Sequence, residues 1–323
     1  MTMLERFISS AFRKTAIQVA NVQAPLLGPV EISELQARVD ALDEPGGQVP
    51  EVHYRHAGDF RSVYLGPGLD FEESRLYERG DDLRSMDWRT TARTGKPYVK
   101  VYREEHHPEI HIVVDRGTTM RFGTVERLKA AQAARVATIA AFVAMRRGAC
   151  IGGTLVQPDG LSLPCASGDV GAYRLVEAAA SAAPPLAHGA GGDSLWQVLE
   201  QIAVRLQRGA RVVVASDFHG LDGDCGGVLM QLSARHQLIP IQILDRVESE
   251  LPAVGHACFE NPLTGRSQWL DTGAASLRRE FALRAGEARA AADGLFAAMG
   301  VRLARIHADE DPFHVVLKAL GHG

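Results

Sequence analysis

The chain alternates short apolar runs with amphipathic stretches through its central and C-terminal parts. IHIVVD (110–115), RVVVASD (211–217) and LIPIQILD (238–245) are typical of buried strands, and the stretches between such runs repeat apolar residues at helical spacing. Buried strands that alternate with crossover helices are the pattern of a parallel sheet covered on both faces. The sequence therefore predicts an α/β fold with a doubly wound, mostly parallel sheet.

The same periodicity gives the approximate bounds of the other elements. Two further strands are predicted from ACIGGTLVQ (149–157) and LSLPCA (161–166), and a late strand from VRLARI (301–306). HACFEN and GRSQWLD, joined by a turn, predict a hairpin. Helices are predicted over 124–147, 169–182, 194–207, 224–235, 274–299 and 312–320.

Changes of composition divide the chain into three parts. Residues 1–50 are predicted as an N-terminal helical segment that ends at EPGGQVP, since Pro and Gly interrupt helices. Residues 51–106 are predicted as a small β-rich, highly charged subdomain, and residues 107–323 as the α/β domain with a C-terminal hairpin and helices. GPGLDF (66–71) lacks the third glycine of a dinucleotide-binding loop, and we expect a turn there.

Composition narrows the class of protein further. The formal net charge is -4, which gives no electrostatic reason to expect nucleic acid. The four cysteines contain no CxxC pair, and we expect free thiols in a reducing cytoplasm. The most apolar helical segment, ATIAAFVAM (137–145), is far shorter than the about 18 residues that a membrane span needs. We therefore expect a cytoplasmic protein without a membrane span.

Acidic side chains follow the predicted strands at the point where each strand ends. Asp115 and Asp217 end two of them, Asp245 ends a third, and a glycine loop between the first two leads to Asp193 and Ser194. Ligands of doubly wound sheets bind outside the carboxyl ends of the strands. Carboxylates and hydroxyls are ligands for Mg²⁺, although Asp and Ser also cap helices and stabilise turns.

A dense charged stretch, residues 66–93, precedes the sheet. Acidic and basic residues are interleaved, with Tyr77 and Trp88 among them. Such a composition is explained by an internal network of Arg–carboxylate pairs or by a surface that docks a partner protein, and less well by nucleic-acid binding. The candidate partner-binding residues are Arg75, Asp81, Asp82, Arg84, Asp87, Trp88 and Arg93.

The acidic strand ends resemble the metal-ion-dependent adhesion site of von Willebrand factor A domains. The resemblance implies a Mg²⁺ or Mn²⁺ ion held by Asp115, Thr119, Ser194 (or Asp193) and Asp217. Gly117 stands where the first serine of the motif belongs and removes one ligand, so the resemblance implies weak metal binding or none. It also implies that the sheet is of the von Willebrand factor A type.

The charged stretch carries a second resemblance. The pattern GxGxxFxxxRxYxxGDDxRxxDWxxxART over residues 66–94 is very similar to the hallmark of the domain of unknown function 58 family. The resemblance continues through DRVESELP (245–252), where Arg246 replaces a proline of the family pattern, and through NPLTG. It covers about residues 53–320.

This resemblance implies a non-enzymatic adaptor that acts with a MoxR-type AAA+ ATPase in chaperone-like maturation or a stress response. The sequence contains no GxxxxGK[ST] motif, so ATP chemistry would belong to the partner. Two alternatives stay open. One is a metal-free scaffold, in which Gly117 marks a decayed metal site; the other is a metal-dependent hydrolase with His219 as general base.

Overall fold

The computed structural model describes residues 24–42, 69–78, 83–104, 109–183, 194–221, 223–260 and 267–321. The chain divides into two compact units, Asp43–His107 and the remainder. The smaller unit contains β1 (Leu69–Leu76), α2 (Trp88–Thr94) and β2 (Tyr98–Glu104). The helices of the larger unit are α1 (Pro29–Asp40), α3 (Lys129–Arg146), α4 (Gly168–Ala180), α5 (Leu195–Arg205), α6 (Gly223–Arg235), α7 (Arg246–Ser249), α8 (Ala275–Ala298) and α9 (Phe313–Ala319). Its strands are β3 (Glu109–Asp115), β4 (Cys150–Val156), β5 (Leu161–Ser167), β6 (Arg211–Ser216), β7 (Gln237–Leu244), β8 (His256–Glu260), β9 (Ser267–Asp271) and β10 (Ala304–His307).

Six strands form the central sheet in the order β10-β7-β6-β3-β4-β5. Only the edge strand β5 is antiparallel to its neighbour. From β3 the chain adds β4 and β5 on one side, and then crosses over to add β6, β7 and β10 on the other. The strand order therefore reverses between β3 and β6, and doubly wound sheets bind ligands at this switch point. The predicted α/β class with a mostly parallel, doubly wound sheet is confirmed.

Helices cover both faces of the sheet. On one face α1, α3, α4 and α9 share a hydrophobic core with Ile110, Ile112 and Val114 of β3. On the other face α5, α6 and the end of α8 pack against Val113 and its neighbours in β6. Because β3 is buried on both faces, its sequence is a continuous apolar run rather than an alternating one.

Helix α3 lies at the centre of the first face and is buried along nearly its whole length. Alanine dominates its sequence, and this small residue combines high helix propensity with close packing against neighbours on several sides. The helix begins at Lys129 rather than at the predicted residue 124. The difference arises because Thr124 donates its backbone N–H and its hydroxyl to Asp245, which holds the preceding segment outside the helix.

The other predicted elements of the larger unit lie close to their expected bounds. The helices at 168–180, 195–205, 223–235, 275–298 and 313–319 and the β8–β9 hairpin confirm the periodicity argument. The predicted strand 301–306 is shorter and begins at Ala304. The proposed helix within the first 23 residues lies outside the described residues.

Gly171 of α4 marks a close approach between this helix and β5. A Cβ atom at this position would lie 2.2 Å from the backbone oxygen of Ala166 and 3.0 Å from that of Ile151. We expect Gly171→Ala to lower the free energy of unfolding by about 1 to 3 kcal/mol in urea denaturation, because backbone atoms must move apart.

Gly227→Ala is the matched control, since Gly227 lies inside α6 and a Cβ atom added there would have nothing within 4 Å of it. This variant should gain about 0.5 to 1 kcal/mol from helix propensity. Equal effects of the two substitutions would contradict the tight contact.

The smaller unit is built on the antiparallel pair β1–β2. YVKVYRE forms β2, as its apolar alternation predicts, but β1 begins at Leu69, inside the stretch where we expected a turn. For residues 69–71 that prediction was wrong, because pairing with β2 supplies backbone hydrogen bonds to a segment whose charged sequence has little strand character. Residues 66–68 lie outside the described residues. The β-like runs EVHYRH and RSVYL lie outside the described residues.

Two further expectations concern the whole chain. The prediction of four free thiols was wrong, because β4 and β5 pair side by side and the structure joins Cys150 to Cys165. Cys225 and Cys258 are not joined in a disulfide. In the part of the chain that the structure describes, no helix is long and apolar enough to cross a membrane.

Candidate functional site

The two predicted strand-end aspartates meet at the switch point of the sheet. β3 and β6 are parallel neighbours with Val114 opposite Ala215, so Asp115 and Asp217 emerge at the same carboxyl edge. Ser216 joins them: its hydroxyl donates to Asp115 Oδ2 at 2.5 Å and accepts from the backbone N–H of Phe218 at 3.0 Å. The sequence prediction that these carboxylates lie together is therefore matched by the strand pairing.

Asp115 is a buried carboxyl in an environment that disfavours its charge. Its Oδ1 accepts from the backbone N–H of Gly117 at 2.8 Å, and its Oδ2 accepts from Ser216. Burial, assisted by the negative charge of Asp217, raises the pKa of Asp115 to about 6, against the opposing effects of Ser216, Gly117 and Lys129. The group titrates near physiological pH.

The neighbouring Arg116 points away from this carboxyl. Its guanidinium donates to the backbone oxygens of Ala178 and Ser181, both at 2.8 Å, at the C-terminal end of α4. It therefore stabilises a helix end, where a positive charge is favourable. It does not neutralise Asp115.

Lys129 supplies the positive charge at this edge. Its side chain is 0% exposed, and its Nζ lies 2.8 Å from Asp217 Oδ2 and 2.6 Å from Glu248 Oε1. Burial alone lowers the pKa of Lys129, but the charges and hydrogen bonds of Asp217 and Glu248 outweigh it and raise the pKa above its ordinary value. The ammonium is thus a permanent, fully enclosed cation.

Glu248 is fixed by the short helix α7. The Oε2 atom of Glu248 accepts a hydrogen bond from the backbone N–H of Asp245 at 2.8 Å. The carboxylate of Asp245 in turn accepts from the backbone N–H of Val247. These reciprocal bonds between the Asp245 and Glu248 side chains and the helix N-terminus form a capping box. Asp245 also binds Thr124, in the segment that leads to Lys129. The third strand-end aspartate therefore has a structural role: it orients Glu248 and fixes the segment that leads to Lys129.

The loop after Asp217 has an unusual backbone. Phe218 has a φ of 54°, a conformation that a bulky residue seldom adopts. Its ring packs against Phe296 with centroids 5.4 Å apart and against Trp196 at 6.5 Å. The turn also lets the backbone N–H of His219 donate to Asp217 Oδ1 at 2.9 Å. The packed ring holds Asp217 in one orientation.

The remaining predicted metal ligands that the structure describes are not hydrogen-bonded to the carboxylates. Thr119 lies in a 3₁₀ turn after β3, and Ser194 caps α5 with its hydroxyl accepting from the backbone N–H of Gln197. Neither hydroxyl is hydrogen-bonded to Asp115 or Asp217, and Asp193 lies outside the described residues. Across the described ranges, no group of three or more His, Cys, Asp or Glu side chains is positioned to hold a metal ion.

An open cleft of about 580 Å³ adjoins the site. Asp217, His219 and Glu248 line one side of it, and α8 lines the other. The α8 wall is formed by alanines, Leu295 and the half-buried Arg289. The cleft thus combines charged groups with an apolar wall, which is the usual composition of a binding site.

The candidate partner-binding residues of the smaller unit differ in their roles. Asp87 is buried as the N-cap of α2 and accepts from Ser74, from Thr90 and from the backbone N–H of Arg89. The hydrogen bonds from Ser74 and Thr90 hold the pKa of Asp87 well below its usual range. Its carboxylate is engaged internally. Asp81 and Asp82 lie outside the described residues.

The other candidates are closer to solvent. Trp88 is 69% exposed at the start of α2, and Arg93 is exposed in the last turn of the same helix. Arg84 is also exposed, and Arg75 is half-buried and donates to the backbone oxygen of Leu76. Trp88 and Arg93 therefore remain accessible to a partner.

The protein is an α/β protein whose acidic strand ends meet beside a cleft at the switch point of its sheet. Residues 73–291 match the model of a family described as "Protein of unknown function DUF58", and the chain belongs to this family. The family that the charged motif predicts is confirmed.

The chain is similar to mycobacterial proteins that are described as uncharacterized. Uncharacterized protein Rv1480 of Mycobacterium tuberculosis and uncharacterized protein Mb1516 of Mycobacterium bovis are each 30% identical over 257 residues, which cover 79% of this chain and 79% of each relative. Among solved structures, the conserved hypothetical protein BatB from Bacteroides thetaiotaomicron is similar with a TM-score of 0.43 and 14% identity, over 66% of this chain and 97% of that one. An aerotolerance-related membrane protein from Bacteroides fragilis has a TM-score of 0.41 and 15% identity, over 67% and 98%.

Proposed function

We propose that the protein is a non-enzymatic interaction adaptor that acts with a MoxR-type AAA+ ATPase. In this role it would present client proteins to the ATPase for chaperone-like maturation or during a stress response. We place this activity in the cytoplasm, where ATP is available to the ATPase. The observation that carries the proposal is the cleft at the switch point, which is open and has charged and apolar walls. A protein segment is the kind of ligand that such a surface accommodates.

Binding is favoured over hydrolysis by the state of the charged groups. Both oxygens of Asp217 already accept hydrogen bonds, and Lys129 is fully enclosed. Lys129 therefore cannot reach a substrate, and the Asp217 oxygen that would act as a general base holds the Lys129 ammonium instead of a water molecule. The hydrolase alternative keeps one supporting observation, since His219 lines the same cleft as Asp217.

The cleft is tested by reversing one charge on its α8 wall. Arg289→Glu should weaken the affinity for the MoxR-type ATPase of the same organism by about tenfold or more in biolayer interferometry, since interface arginines are often hot spots. Arg284→Glu is the matched control: it lies on the same helix, outside the cleft, in an exposed pair with Glu280. Unchanged binding of Arg289→Glu, with the native melting temperature, would refute the cleft as the docking site.

The exposed face of α2 is a second candidate contact, because it carries Trp88 and Arg93 from the family motif. We expect Trp88→Ala to weaken the ATPase complex by about 2 kcal/mol, the scale of an aromatic hot spot, without changing the melting temperature. The same titration of Trp269→Ala provides the comparison, since Trp269 is similarly exposed, at 60%, but lies on the β8–β9 hairpin. Equal losses for both variants would argue against a specific role of Trp88.

A further inference from the structure

An enclosed lysine lies where the resemblance to a metal-ion-dependent adhesion site implies a divalent cation. Lys129 begins α3, is 0% exposed, and bridges Asp217 and Glu248 at 2.8 and 2.6 Å. Its charge also acts on Asp115 by lowering the pKa of that carboxyl. A single ammonium therefore interacts with both strand-end aspartates at the switch point.

We propose that Lys129 is the resident cation of this edge and takes the place of the metal ion, so that the native protein binds neither Mg²⁺ nor Mn²⁺ there. The first argument is charge. Lys129 leaves one net negative charge in its group with Asp217 and Glu248. A divalent ion bound to the same carboxylate would sit within a few ångströms of a buried ammonium, and like charges repel strongly in a low-dielectric interior.

The second argument is the supply of ligands. Asp115 uses its oxygens for Gly117 and Ser216, and Asp217 uses its oxygens for Lys129 and His219. Ser194 caps a helix, and Gly117 brings no hydroxyl to the first loop. Mg²⁺ requires near-octahedral oxygen coordination, and with Lys129 in place this edge offers it no such set of oxygens. Removal of the ammonium would free one oxygen each of Asp217 and Glu248 for a cation.

Gly117 fits the same interpretation. A Cβ atom at this position would lie 3.1 Å from Asp115 Oδ1, closer than most side-chain contacts. A serine there would crowd the carboxylate that now accepts the Gly117 N–H. Gly117, which lacks a ligand hydroxyl, and the ammonium of Lys129 thus belong to one arrangement. In it, hydrogen bonds and the lysine charge stabilise the carboxylates in place of a coordinated metal ion. Partner binding at the cleft would then not depend on cation concentration.

Mn²⁺ titration monitored by electron paramagnetic resonance tests the proposal directly and needs no partner protein. The native protein should bind no Mn²⁺ at this edge up to millimolar concentration. Lys129→Ala should gain Mn²⁺ binding, and Mn²⁺ should raise its melting temperature, because the ion restores the missing positive charge. The double variant Lys129→Ala/Asp217→Asn should lose that gain.

Two results would overturn the proposal. The first is submillimolar Mn²⁺ binding to the native protein that Asp217→Asn abolishes. The second is a folded Lys129→Ala variant that binds no Mn²⁺, since a vacated cation position would then have no affinity for a cation. If Lys129→Ala does not fold even with Mn²⁺ present, the titration of the native protein and of Asp217→Asn decides the question. Failure of the ATPase complex to form would leave this result unaffected.

Discussion

Replacement of Lys129 by methionine should lower the free energy of unfolding by about 3 to 5 kcal/mol at pH 7, because it leaves a buried carboxylate without its partner. Asp217 carries most of this cost, since its side chain is enclosed, whereas Glu248 is 35% exposed and can regain water. Methionine keeps the length and the apolar stem of lysine, so the loss reports the charge rather than a cavity. Urea denaturation followed by circular dichroism measures the effect.

Two further variants separate the ion pair from the packing. Lys129→Met/Asp217→Asn should recover a substantial part of the loss, because the second substitution removes the unpaired charge and the two residues are in direct contact. Lys318→Met, on the exposed face of α9, should change stability by less than about 0.5 kcal/mol. A loss below about 1 kcal/mol for Lys129→Met would show that the ammonium contributes little to the fold.

The acidic edge is the part of the site that sequence reasoning located. Strand ends can be found from the length of an apolar run, and the alternation of strands with helices implies that parallel strands end at one edge. The proximity of Asp115 and Asp217 could therefore be predicted without knowledge of any contact. The predicted helices were close to their observed bounds for the same reason, since apolar periodicity is a local property.

The cation at this edge was missed because it depends on contacts between distant parts of the chain. Lys129 and Asp217 are 88 residues apart, and Lys129 and Glu248 are 119 apart. A lysine in the first turn of a helix is normally solvated, and nothing local distinguishes this one. Its sequence context does contain a clue, because the residues that follow it, AAQAARVATIAAFVAM, are apolar around the helix and predict burial on every side.

Capping explains why two other candidates have structural roles. Ser194 was assigned to a metal and Asp87 to a partner, yet each has its side chain committed to a helix N-terminus. Ser and Asp are the preferred residues at that position, and the capping pattern is visible in the sequence when a helix follows directly. For Ser194, Gln197 three residues later completes the capping box.

The carboxyl of Asp115 should make stability depend on pH in a direction opposite to that of most acidic residues. Its pKa is raised from 3.8 to about 6 in the folded protein, so between these values the folded state binds more protons than the unfolded state. Its contribution to the free energy of unfolding should therefore fall by about 2 kcal/mol as pH rises from 4 to 6, and should level off only above about pH 7.

Asp115→Asn isolates this contribution, because the amide can accept from the Gly117 N–H and donate to Ser216 while carrying no charge. Urea denaturation of both proteins between pH 4 and 7.5, with chelator present, should show the variant gaining stability relative to the native protein by about 2 to 2.5 kcal/mol over this range. Asp159→Asn, in an exposed turn, is the matched control for replacing a carboxylate by an amide. A difference of the opposite slope would mean that Asp115 is held ionised in the folded state, and that a positive charge rather than burial dominates its environment.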